Sequence, residues 1–164
     1  MTRVNTELEG ILVRLPIVTG DEAALMVDGG RLQWFAAGYP RPDDIDAAKM
    51  ADGSAWSVRH IVRRVDGLAV GSIGFFGPPD ENGQVEIGYG LIESARRQGL
   101  ISDALTVAIA AAEAAGAQVI AHTSDDNVAS QRTLAKFGFV REEATNADGE
   151  RLYVRPRRAA RPGA

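Results

Sequence analysis

The chain has no cysteine. That excludes disulfides, thiolate metal sites and a cysteine nucleophile. Histidine is nearly absent as well. His60 and His122 stand far apart and match no metal-ligand spacing, so no metal site is predicted. Lysine occurs only as Lys49 and Lys136, and arginine carries most of the positive charge. No run approaches the roughly 18 apolar residues of a membrane span. The opening MTRVNTELEG is too polar for a signal peptide, so a cytoplasmic protein without a membrane partner is expected. A formal net charge of -4 argues against a nucleic-acid partner, which calls for a basic face. Two nucleotide motifs are missing too. There is no G-x-x-x-x-G-K-[ST] loop, and GYGLIE places Glu93 where a dinucleotide fingerprint needs its third glycine.

What remains is a chain of 164 residues, nearly half of them apolar, enough for one domain. The domain is expected over residues 1–155, with 156–164 as a basic, flexible tail. ELEGILVRLPIV alternates and reads as a first strand ending at Pro16. Thr19 and Glu22 have capping-box spacing before a short helix to Val27, and Pro42 opens a second helix to about Met50. AWSVRHIVRRV and LAVGSIGFF pair through the Asp66-Gly67 turn, and QVEIGYGLIE is a further strand. LISDALTVAIAAAEAA has helical spacing and stops at Gly116. The strand QVIAHT, a helix capped by Asn127, and two closing strands follow. The predicted order is β-α-α-β-β-β-α-β-α-β-β, an α/β domain with one mixed central sheet.

The junction ESARRQGLISDAL bears most directly on function. A strand that feeds a helix through a turn of small residues leaves the first helical N–H groups unpaired at the positive end of the dipole, where an anion fits. Arg96 and Arg97 add charge, Gln98 adds a donor, and Gly99 lets the backbone approach closely. RRQGLI therefore reads as a pyrophosphate cradle running through Leu100 and Ile101 into Ser102. In the preceding strand Val85, Ile87, Tyr89 and Leu91 share one face, while Glu86, Gly88 and Gly90 share the other. Two glycines beside a lone carboxylate suggest a bulge or the close approach of a ligand.

These stretches, together with NVASQRTLAKFGF, resemble the GCN5-related N-acetyltransferases (GNAT), and more narrowly their ribosomal-protein N-terminal acetyltransferase branch. The resemblance implies a GNAT fold and acetyl-CoA as donor. It implies that Gly90, Leu91 and Ile92 pair with the pantetheine arm, and that Asn127 contacts the same arm. The family's loop, approximately R-G-x-G-x-A, stands here as Arg96 to Ile101, with Arg97 in place of the first glycine and Ile101 in place of the alanine, changes the loop tolerates if φ stays negative. Leu134 stands where many members carry a tyrosine acid. Ser130, one turn into that helix, takes its place as the group expected to hydrogen-bond the sulfur.

Direct attack on a thioester needs a neutral amine, a base, an oxyanion donor and help for the leaving thiolate. Glu86 is the expected base or amine-binding group, and a backbone N–H near Leu91 is the oxyanion donor. His122 is either a second base or a structural histidine. Trp34, Phe35 and Tyr39 are expected to border the acceptor, with Trp34 and Tyr39 as contacts. Asp43, Asp44 and Asp46 either attract a cationic amine or serve as helix-start charges, and Trp56 is expected in the core. The acceptor is an amine: a protein N-terminus, a polyamine, an antibiotic or another small molecule. The terminal strands offer an edge for a homodimer. The competing class is a silent acyl-CoA-binding sensor.

Overall fold

The computed structural model describes residues 7–157. Its elements, in order, are β1 (Leu8–Glu9), β2 (Val13–Leu15), α1 (Gly20–Val27), α2 (Pro42–Lys49), β3 (Arg59–Arg63), β4 (Leu68–Phe75), β5 (Gln84–Leu91), α3 (Leu100–Ala114), β6 (Gln118–Thr123), α4 (Val128–Lys136), β7 (Val140–Thr145) and β8 (Arg151–Val154). The strands form one 8-stranded sheet in the order β1-β2-β3-β4-β5-β6-β8-β7. β5 and β6 pair parallel and all other neighbours antiparallel.

The predicted order holds with one correction. The expected first strand is a hairpin, β1 and β2, closed by Gly10 N–H on the Val13 carbonyl. The cause lies far along the chain. Asp103, in the first turn of α3, accepts the backbone N–H groups of Ile11, Leu12 and Val13 at 3.2, 2.8 and 3.1 Å. A Cβ at residue 10 would meet that carboxylate, so glycine stands there. The hairpin tip is thereby tied to the start of α3.

Local signals account for most other boundaries. Thr19 and Glu22 form the capping box of α1. Pro42 opens α2, and Gly116 and Gly138 follow α3 and α4 in the left-handed region. α3 packs on the sheet through Leu100, Ala104, Leu105, Ala108, Ile109 and Ala112, whose small side chains bring the helix close. Residues 158–164 of the expected tail lie outside the described residues. Its described beginning is anchored, because Arg157 donates to the carbonyls of Gly116 and Gly83 at 3.1 and 3.3 Å.

Candidate active site

The parallel pairing of β5 with β6 covers only Gln84, Val85 and Glu86. Beyond Glu86 the strands part, although no bulge interrupts the pairing of β5 with β4. Along an antiparallel strand, alternate residues aim their backbone groups at the same edge. Phe76 N–H donates to the Glu86 carbonyl and Ile92 N–H to the Val70 carbonyl, so the even-numbered residues of β5 face β4. The N–H and C=O of Tyr89 and Leu91 therefore face the open edge. This corrects the expectation for Gly90 and Ile92, whose backbone groups are turned to β4. Of the three expected residues only Leu91 turns its backbone groups to the open edge, as Tyr89 does.

A groove of about 550 Å³ opens where the strands part. Glu86 sits opposite Ile120, and His122 is two residues further on the same face of β6. His122 Nδ1 lies 3.1 Å from Glu86 Oε1, without the alignment of a straight hydrogen bond. Across the gap, the Tyr89 hydroxyl lies 3.2 Å from Ser130 Oγ. Burial keeps the Tyr89 phenol protonated to higher pH than usual, opposed in part by the bond to Ser130. Asn127 caps α4 by accepting from Ser130 N–H at 3.1 Å, which fixes the turn that carries Ser130. Leu134, at the family's tyrosine position, is buried at the groove wall. Both faces of β5 thus contribute to one cleft, lined by a carboxylate–imidazole pair and a hydroxyl pair.

At the far end, Gly99 caps α3 in the left-handed region at φ 77°. Gly99 supplies no side-chain cap, and among the described residues no side chain accepts from the first N–H groups of that helix. Arg97 also takes a positive φ of 63°, unlike every other non-glycine residue described. This corrects the expected negative φ. The turn keeps the glycine conformation although the side chain has changed, at a cost of about 1 kcal/mol. The side chain of Gln98 serves the loop itself, donating to the Ser94 carbonyl and accepting from Arg63. Arg96 and Arg97 are exposed beside these amides, and Ser102 Oγ accepts from Lys136 at 3.3 Å. The arrangement suits an anion held by backbone amides between two guanidinium groups.

Trp34 and Tyr39 do not reach the groove. Tyr39 is fully buried and its hydroxyl bonds His60 Nδ1 at 2.6 Å. Trp34, Phe35 and Tyr39 pack their rings around His60, which also meets Glu22 at 3.1 Å. Burial lowers the pKa of His60 against the pull of Glu22, so the cage holds a neutral imidazole. The aromatic lining comes instead from Trp56, Phe75, Phe76 and Tyr89, and Trp56 also packs against the core, edge to face with Phe75, as expected. The glycines of β5 also have protein neighbours. A Cβ at Gly88 would strike the Phe76 ring, and one at Gly90 the Arg41 guanidinium. Of the three aspartates, Asp43 and Asp46 line the groove, whereas Asp44 is buried beneath Arg41.

Comparison with known proteins bears on the family and the fold. A family model described as an acetyltransferase (GNAT) domain matches residues 26–140, well over half of the chain. An uncharacterized N-acetyltransferase of Bacillus subtilis, YjdG, is 39% identical over 96 residues; the match spans 57% of the length of either protein. Among solved structures, RimL, a ribosomal-protein α-N-acetyltransferase, superposes with a TM-score of 0.61 at 16% identity, covering 94% of this chain and 93% of RimL. The microcin self-immunity acetyltransferase MccE, in complex with acetyl-CoA and AMP, gives a TM-score of 0.60 at 16% identity, covering 88% and 92%.

Proposed function

The chain belongs to the GNAT acetyltransferase family, and from that membership we propose that it moves an acetyl group from acetyl-CoA to a primary amine by direct attack. One observation carries the reading: Glu86 with His122, and Tyr89 with Ser130, line one groove where β5 and β6 part. The residues present fit the donor. The open edge of β5 at Tyr89 and Leu91 offers backbone partners to the amide-bearing arm. The free amides at the head of α3, with Arg96 and Arg97, offer an anion site for the pyrophosphate.

The roles follow from chemistry. An ammonium cannot attack, so the Glu86 and His122 pair takes its proton. The amine forms its bond to the carbonyl carbon, and charge builds on the oxygen. The Tyr89 N–H at the open edge, nearer Glu86 than the Leu91 N–H, receives that charge. The C–S bond then breaks as the nitrogen sheds its second proton to water, and the thiolate takes a proton from the Tyr89 hydroxyl, which Ser130 orients and solvent reprotonates. No covalent enzyme intermediate is needed. The Tyr89 and Ser130 hydroxyl pair replaces the tyrosine that Leu134 does not supply.

Thiol release from acetyl-CoA over a panel of amines tests the reading. Amine-dependent release supports it, and donor binding without turnover on any amine leaves a sensor instead. A thiol ionises near pH 8.5, so a thiolate leaves with little help. Tyr89→Phe is therefore expected to lower kcat by only about 10-fold, and Ser130→Ala by less. Unchanged kcat in both variants removes the pair from the mechanism. At the loop, Arg97→Gly is expected to raise Tm by roughly 2–4 °C through relief of the left-handed conformation. It should also weaken acetyl-CoA binding a few-fold, with a shallower salt dependence. Thermal denaturation, and binding at two ionic strengths, check both halves.

A further inference from the structure

Resting on that amine-acetylation reading, we propose that the Arg41 guanidinium is a carboxylate receptor in the acceptor half of the groove. The preferred acceptor is then a primary amine that carries a carboxylate several bonds away, as a peptide does with an acidic side chain near its N-terminus.

Among the described residues lining the groove, Arg41 is the sole arginine or lysine, set among Asp43, Asp46, Asp52, Glu86 and Glu150. It is held rigidly. Its Nε and Nη2 donate to the two Asp44 oxygens at 3.0 and 2.8 Å, and Asp44 also accepts the Arg41 backbone N–H at 2.8 Å. Asp44 is wholly buried and accepts from Ser72 on β4, which locks the carboxylate to the sheet. Nη1 has no acceptor among the described residues. A guanidinium fixed along one edge presents its remaining donors in a set geometry, the form in which arginine reads a carboxylate. Strand β5 is bare beneath it: a Cβ at Gly90 would lie 2.4 and 2.5 Å from Nη2 and Nη1.

The placement selects the acceptor. Glu86 and Gly90 share one face of β5, and their α-carbons are separated by roughly 13 Å of strand rise. An amine at Glu86 and His122 and an anion at Arg41 thus mark the two ends of one extended molecule. A free α-amino acid, with its two groups adjacent, cannot span them. The exposed carboxylates of Asp43, Asp46 and Asp52 favour the ammonium at the mouth and oppose polyanions. That balance fits a single carboxylate delivered with an amine.

The test uses C-terminally amidated tetrapeptides that differ only by glutamate against glutamine at the second or third position, with thiol release as the readout. The wild type is expected to favour the glutamate peptides at least about 10-fold in kcat/KM. Arg41→Gln is expected to lower the glutamate value by about 10- to 100-fold, and the glutamine value by less than about threefold. Because this change strands the buried Asp44, Arg41→Gln with Asp44→Asn is run beside it and must show the same loss of preference. Equal losses on both peptides, no preference in the wild type, or weakened acetyl-CoA binding with an unchanged peptide ratio would each overturn the proposal. Absence of thiol release with every amine refutes the amine reading itself. It differs visibly from turnover without preference, which refutes only the carboxylate receptor.

Discussion

At pH 7, Glu86→Gln is expected to lower kcat/KM for amine acetylation by about 10-fold on an α-amine and by about 10³-fold on a lysine-type amine, with acetyl-CoA binding unchanged. The size follows from the acceptor's own ionisation. At pH 7 only about 0.04% of a lysine-type amine is neutral, against about 10% of an α-amine. The wild type can bind the ammonium and remove its proton in the groove. The variant must wait for the neutral fraction in solution. Its deficit should therefore shrink as pH rises, with unit slope in log kcat/KM, until the amine's own pKa is passed. A break near pH 8 marks an α-amine acceptor, and one near pH 10.4 a lysine-type amine. His122 lies 3.1 Å from the same carboxylate, so the two should act as a unit. The double variant with His122→Ala is then little worse than Glu86→Gln alone. A pH-independent deficit, or none, removes Glu86 from proton transfer.

Why Glu86 was legible in the sequence, and Tyr89 was not, comes down to the parting of two strands. Alternation along QVEIGYGL separates Glu86 from Tyr89 correctly, with their side chains on opposite faces. In an unbroken sheet they would never serve one ligand. The parting of β5 from β6 opens the sheet, so both faces border one cleft, and that depends on pairing partners that no local pattern states. His122 illustrates the same limit: its register against Glu86 is a tertiary fact. The turn before α3 was legible because its geometry is local, a glycine before a helix with arginines beside it. The positive φ of Arg97 was not, since a side chain in that conformation contradicts propensity and is held by its surroundings. The two glycines mark close approaches of protein side chains, with no bulge. Their neighbours, Phe76 and Arg41, arrive from elsewhere in the chain. The aromatic residues split for a similar reason. Tyr39 found a buried partner in His60, while Trp56 comes to the groove wall from a loop with no periodicity to read.

The largest expected effect on stability falls on Asp44, a residue that does not line the groove. Asp44→Ala removes the acceptor of three Arg41 donors and of the Ser72 hydroxyl at a position with no solvent exposure. Breaking a buried pair by deleting one partner commonly costs 3–5 kcal/mol. Arg41 keeps 21% of its side-chain exposure, so water can take up part of its lost bonding and the low end applies. About 3 kcal/mol in a chain of this size lowers Tm by roughly 6–12 °C. Asp44→Asn keeps the shape and an acceptor, and should lose about half as much. The same bonds pin the first turn of α2 to β4 and hold Arg41 over Gly90, so fold and acceptor site rest on one carboxylate. Well below Tm, Asp44→Ala should therefore still acetylate neutral amines, while its Arg41, free to swing, loses the preference for a carboxylate. A variant as stable as the wild type would mean that Arg41 finds its partner in water, and that the pair positions nothing.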